Sequence, residues 1–223
     1  MDIIELRLQA NDLDALAEFY GQTLGLSVLA HSRDEVRIAV GASRLVFSHT
    51  DQNVAPYHIA FNIPEHQFVE AKAWLSLRCP LATGESGKSE FHFENWNAHA
   101  VYFDDPCGNL LELIARHTLP YSAGGKFGAH SLLNISEIGI VTDEPRITAQ
   151  ISCDKLGTSI YRGEPNDQFV PAGDERGLFI IVARGRPWFN QETLRAEPGP
   201  VTVQIAGAPT FHLTPHARII GTD

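Results

Sequence analysis

The feature that most restricts this chain is a repeated order of periodicities: a strand, a helix and three short strands, then the same again. Residues 5–9 alternate apolar and polar, with Leu6 and Leu8 on one face and Glu5, Arg7 and Gln9 on the other, the pattern of a half-buried strand. Asn11-Asp12 supplies a helix cap, Leu13, Leu16, Ala17 and Tyr20 recur at helical spacing, and Gly25 supplies the stop. Strands are predicted at 27–30, 36–40 and 44–48, with turns at Arg33-Asp34 and Gly41-Ala42. The order restarts with a strand over 57–63. Pro64 then opens a helix carrying Phe68, Ala71, Trp74 and Leu75 on one stripe. Strands at 91–93, 98–103 and 110–115 follow, the last two joined by the turn Asp104-Asp105-Pro106-Cys107-Gly108-Asn109.

After a Gly-rich, aperiodic stretch the order occurs a third time. A strand at 137–141 precedes a helix at 144–155 with its stop at Gly157, and strands follow at 159–162, 168–172 and 178–182. An ungapped offset of 132 lays Glu5 on Glu137 and Leu24-Gly25 on Leu156-Gly157. A further strand spans 200–205, and the residues after it, to Asp223, carry no readable pattern. The expected fold class is α+β, with repeated βαβββ modules forming curved mixed sheets around a cavity. Two such modules cover each other's concave faces, so 1–118 is expected to hold a mutually closed pair, 119–130 a linker, and 131–223 a third module with a tail. The odd module leaves a face open unless the tail or a second copy covers it, which predicts a homodimer.

Composition narrows the partners. With 43% hydrophobic residues the chain is not disordered. Its longest uncharged apolar stretches, such as 177–183, fall far short of the ~20 residues that span a bilayer. The N-terminus shows no signal-peptide pattern. Cys79, Cys107 and Cys153 are odd in number and form no CxxC pair, which fits free thiols in a reducing cytoplasm. A formal net charge of −10 disfavours nucleic acid and acidic membranes. No Gly-rich phosphate loop or GxSxG elbow is present. A small molecule is the partner that remains.

Side-chain parity indicates what faces the cavity. Leu111 and Leu113, like Ile59 and Phe61, are needed on the helix side, which turns Glu112 and His58 inward. In the first module the same reasoning turns Glu5, Arg7 and Arg44 inward, because Leu45 and Phe47 take the helix side. An imidazole and two carboxylates, Glu5, His58 and Glu112, form a ligand set suited to Fe, Mn, Ni or Zn with open positions for substrate. Such an ion would also relieve the repulsion of two buried carboxylates. Two blander readings stand beside it: Glu5 paired with Arg7 or Arg44, and His58 as a hydrogen-bonded core histidine. Trp96 is expected to face the cavity as a stacking wall or core residue, His99 the helix side, and His117, His212 and His216 the surface. Arg7 and Arg44 are candidates to hold an anionic substrate or to neutralise the acidic cluster.

The segments Asp12-Leu13-Asp14, Phe19-Tyr20 and Leu24-Gly25-Leu26, the strand Tyr57-His58-Ile59-Ala60-Phe61, and above all the run from Tyr102 to Leu113 (YFDDPCGNLLEL) resemble the vicinal oxygen chelate superfamily. This is the glyoxalase, bleomycin-resistance and extradiol dioxygenase group. The likeness covers residues 1–116 well and the third module in outline. It implies paired βαβββ modules around a metal cleft, with ligands at His58 and Glu112 and a first-strand ligand, usually His, at Glu5. A fourth ligand of the glyoxalase type would fall near Arg44 or Val46, neither of which ligates, so a three-ligand arrangement like that of fosfomycin-resistance thiol transferases or dioxygenases fits better. Tyr102 matches a substrate-contacting position in the former. The resemblance implies a metal-dependent lyase, isomerase, transferase or dioxygenase, with Tyr102 and Arg44 in catalysis and Arg7, Arg44, Trp96 and Tyr102 on the substrate. The alternative it allows is a metal-free, ligand-sequestering protein of the bleomycin-resistance type, in which Arg7 and Arg44 neutralise the glutamates and Trp96 stacks on the ligand.

Overall fold

Two seven-stranded sheets organise the chain, and the way modules share them departs from the sequence expectation. A computed structural model describes all residues except 85, 86, 122, 123, 190, 209, 214–218, 222 and 223, and side chains except also 191, 192, 211, 213 and 219–221. The first module comprises β1 (Ile3–Ala10), α1 (Leu13–Glu18) with a wide turn over Phe19–Thr23, β2 (Val28–His31), β3 (Glu35–Val40) and β4 (Ser43–His49). The second comprises β5 (His58–Ile63), α2 (Phe68–Ser76), β6 (Phe91–Phe93), β7 (Ala98–Asp104) and β8 (Leu110–Arg116). The third comprises β9 (Asn134–Thr142), α3 (Pro145–Leu156), β10 (Phe169–Asp174) and β11 (Gly177–Ala183), and its remaining strand is reduced to one bridge between Ile160 and Ala172. Then come a hairpin, β12 (Pro187–Trp188) and β13 (Gln191–Arg195), and the strands β14 (Val201–Ile205), β15 (Phe211–Leu213) and β16 (Ile219–Gly221).

Local chemistry accounts for the boundaries. The Asp12 carboxylate accepts the Ala15 amide at 2.9 Å, satisfying a free donor at the start of α1. Gly157 ends α3 at φ 63°, a left-handed conformation that a side chain would penalise. Ile59, Phe61, Leu111 and Leu113 are buried on the helix side with Phe68, Ala71 and Leu75, as parity required. Removing each such large apolar side chain from water contributes roughly 1.5–3 kcal/mol.

The sheet order is β16-β15-β14-β1-β4-β3-β2 in one sheet and β10-β11-β9-β5-β8-β7-β6 in the other. Module two therefore pairs with module three, through β5 antiparallel to β9, and not with module one. Module one pairs instead with β14, antiparallel to β1. The periodicity marks each first strand as open along one edge, but nothing in it says which open edges meet. The strands β14–β16 of the expected tail extend the sheet of module one. Both first strands carry a bulge: Ser136 is the extra residue in β9 and Ile4 in β1. These bulges are separated by the same offset that relates the two segments in sequence. Among the described residues no helix is long and apolar enough to cross a membrane.

Candidate metal centre and its aromatic cavity

Three strands at the middle of the second sheet build the site. Ala60 on β5 lies opposite Glu112 on β8 and opposite Glu137 on β9. Its small side chain lets the two carboxylates converge with His58, two residues earlier on the same face. His58 Nε2 lies 3.5 Å from Glu112 Oε2 and 3.5 Å from Glu137 Oε2. One ligand atom from each of the three lies within 4.8 Å of the others. All three side chains are buried, at 5%, 2% and 3% exposure for His58, Glu112 and Glu137. The His58 Nδ1 sits 3.3 Å from the Leu110 carbonyl, which turns Nε2 toward the carboxylates.

The surroundings set the charges. Arg116, buried on β8, donates to Glu137 and to Ser136 Oγ, and lies 5.3 Å from the Trp96 ring. Burial opposes charge on Glu137, but His58 and Arg116 outweigh it and hold its pKa below the usual carboxylate range. Glu112 has no arginine bonded to it. Burial, then the charge of Glu137, push it up to about 8. Burial also opposes charge on His58, yet its hydrogen bond to Glu137 and the charge of Glu112 carry its pKa above the ordinary value. Tyr102 lies opposite Glu112 in register and its phenol hydrogen-bonds to that carboxylate; burial keeps the phenol neutral far above pH 10.

The triad opens into a cavity of about 250 Å³. Its walls are largely aromatic: Phe93, Trp96, Tyr102, Phe169, Trp188 and Phe189. Trp188 packs 5.5 Å from His58, between ring centroids, and Phe189 packs 5.2 Å from Tyr102. Gly139 makes the Trp188 position possible, since a Cβ there would stand 2.5 Å from the indole.

The donor set fits a divalent ion. Two ligands bonded at about 2.1 Å to one ion at tetrahedral or octahedral angles lie about 3.0–3.4 Å apart, close to the 3.5 Å separations here. One nitrogen and two carboxylate oxygens leave positions open toward the cavity.

Four of the residues singled out from sequence, His58, Trp96, Tyr102 and Glu112, line this cavity. Glu5, Arg7 and Arg44 do not; they lie together on the other sheet. Glu5 accepts Arg7 Nε at 2.7 Å and Arg44 Nε at 2.9 Å, which is the ion-paired alternative that the sequence had left open. Burial opposes charge on Glu5, but the two arginines outweigh it and lower its pKa. Glu137 therefore stands beside His58 and Glu112 where Glu5 was expected, and Glu5, Arg7 and Arg44 are not among the residues that line the cavity. The signal lay in the repeat. At the offset that lays Glu5 on Glu137, Arg7 falls on Gly139, and where Glu5 faces Arg44 across the sheet, Glu137 faces Leu178. At that offset Arg44 falls on Arg176, which pairs with Asp2, and the arginine bonded to Glu137 is Arg116 of the second module. Arg186, Trp188 and Phe189 come from the hairpin, which has no periodicity to betray it.

No family model and no curated relative matches the sequence. Among solved structures, the V278E mutant of glyoxalase I from Zea mays matches with a TM-score of 0.56 at 10% identity, covering 98% of this chain and 90% of that one. A putative dioxygenase from Bacillus subtilis subsp. subtilis str. 168 matches with a TM-score of 0.56 at 15% identity, covering 82% of this chain and 63% of that one. The chain thus spans less than two thirds of the Bacillus protein's length. The fold is thus that of the maize glyoxalase I and of the Bacillus putative dioxygenase.

Proposed function

We propose that this chain is a divalent-metal-dependent enzyme acting on a small molecule with adjacent oxygens, and that His58, Glu112 and Glu137 are the ligands. The observation that carries the reading is the convergence of these three buried donors at one wall of an aromatic cavity. An ion of Zn, Mn, Ni or Fe would supply Lewis-acid polarisation of a substrate oxygen, which serves lyase, isomerase or transferase chemistry, and Fe or Mn would in addition suit a dioxygenase. The chain's own groups do the rest. Arg116 holds Glu137 in one orientation. The Tyr102 phenol stays protonated and positions a donor beside Glu112. The aromatic walls exclude water and fix a flat ligand.

Elemental analysis of the purified protein, followed by titration of Mn(II) or Zn(II) into wild type and His58→Ala, tests this. One ion per chain, with affinity lowered at least roughly tenfold by the substitution, supports the enzyme. Absence of binding to wild type overturns it.

One observation favours a second reading, a metal-free sequestering protein. Arg116 already neutralises Glu137, and His58 lies between both carboxylates, so protons alone can balance the cluster. That reading predicts ligand binding unaffected by chelator.

A further inference from the structure

We propose that Arg186 selects the ligand, and that the cavity takes a flat aromatic molecule whose anionic substituent pairs with this guanidinium. The proposal rests on the cavity being the binding site, as argued above, but not on a bound ion. Arg186 lines the cavity from the segment leading into the hairpin and is half-buried there. Its guanidinium carbon lies 5.2 Å from the centroid of the Phe169 ring, and its Nη1 donates to the Pro187 carbonyl at 3.2 Å. Among the described residues no carboxylate lies within ion-pair distance of it. Arg184, two residues earlier and facing outward, is paired with Asp143 at 2.8 Å. Burial lowers the pKa of Arg186, which marks a charge held partly out of water. A cation set into an aromatic wall with no carboxylate partner among the described residues is costly unless an anion joins it, and a planar guanidinium matches a carboxylate or similar oxyanion.

The remaining walls decide the shape and direction of the ligand. A cavity of roughly 150 Å³ accepts benzene, so about 250 Å³ holds one substituted ring. Trp96, Tyr102, Trp188 and Phe189 offer ring faces and edges for it. Arg116 is already committed to Glu137 and Ser136, which leaves Arg186 as the guanidinium lining the cavity that is open to an anion. The opposite edge of the ring is then presented to the His58, Glu112 and Glu137 cluster.

The test uses metal-free protein, benzoate and the isosteric neutral benzamide, with affinities read by calorimetry or tryptophan fluorescence. Wild type should bind benzoate at least roughly tenfold more tightly than benzamide. Arg186→Gln should remove that preference, bringing the two affinities to within about twofold of each other, while Arg186→Lys should retain part of it. Equal binding of the two probes to wild type, a preference that survives Arg186→Gln, or no binding of either overturns the proposal. A failed ion titration leaves this result intact, and a failed benzoate test beside a successful ion titration removes only the role of Arg186.

Discussion

Replacing Arg116 by Met isolates the electrostatics of the centre. The guanidinium is 1% exposed and Glu137 3%, so the substitution leaves a carboxylate in the interior with His58 as its only nearby cation. Removing one partner of a buried ion pair costs about 3–5 kcal/mol. The lost contact with Trp96 adds roughly 0.5–2 kcal/mol, and Met keeps most of the stem's packing, so the unpaired charge dominates. At about 2–4 °C per kcal/mol for a chain of this size, the melting temperature in chelator falls by roughly 7–28 °C. Thermal unfolding followed by circular dichroism reads this directly. Two further arms separate charge from packing. The double variant Arg116→Met with Glu137→Gln should recover most of the loss, giving a coupling of about 2 kcal/mol or more. Saturating Zn(II) should protect Arg116→Met more than wild type, because the ion supplies the missing positive charge. A drop below about 1 kcal/mol in the single variant, or no recovery in the double, would refute the reasoning.

Three other outcomes follow from named contacts. Gly139→Ala places a Cβ 2.5 Å from the Trp188 ring and 3.2 Å from His58 Cβ; the cost is about 1–3 kcal/mol, and unchanged tryptophan emission would contradict the packing. Glu112, pushed up to about 8, is protonated at neutral pH without an ion. Ion uptake at pH 7 should therefore release at least about one proton, from Glu112 and in part from His58, with affinity rising at least roughly tenfold per pH unit up to about 8; titration in two buffers of different ionisation heat measures it, and a flat profile from pH 6 to 8 would count against it. Burial pushes Asp105 up to about 6 from 3.8, against four donated hydrogen bonds, from Tyr20, Cys107 and two from Asn109. A raised carboxyl pKa stabilises the fold fully below the unfolded value and loses that contribution as pH rises through the folded one. The stability lost in Asp105→Asn should accordingly be larger at pH 4 than at pH 7, by up to about 3 kcal/mol in urea unfolding.

Much of this was legible in the chain. Strand parity turned His58 and Glu112 to the cavity, because burying Leu111, Leu113, Ile59 and Phe61 against a helix leaves the opposite face no choice, and Tyr102 faces Glu112 in register; Trp96 also lines the cavity, but from a turn before the strand, where parity does not apply. Pairing between modules was not legible. Glu5 and Glu137 occupy equivalent strands with equivalent bulges, so choosing between them needed the two arginines beside Glu5 to be read as its partners, and the pairing of Glu137 with Arg116 of the second module follows from the sheet order alone. The hairpin that brings Arg186, Trp188 and Phe189 to the cavity was invisible for a different reason. Its strands are too short for alternation, and its position is set by Gly139 and by contacts with Phe91, Phe93 and Tyr102 from the second module.

The most direct measurement is a calorimetric titration of Zn(II) into wild type, Glu137→Gln and Glu5→Gln in parallel. Wild type and Glu5→Gln should each take up one ion per chain with similar affinity, and Glu137→Gln should lose binding at least roughly tenfold. Equal loss in both variants, or retention in Glu137→Gln, would contradict a centre built across the second and third modules.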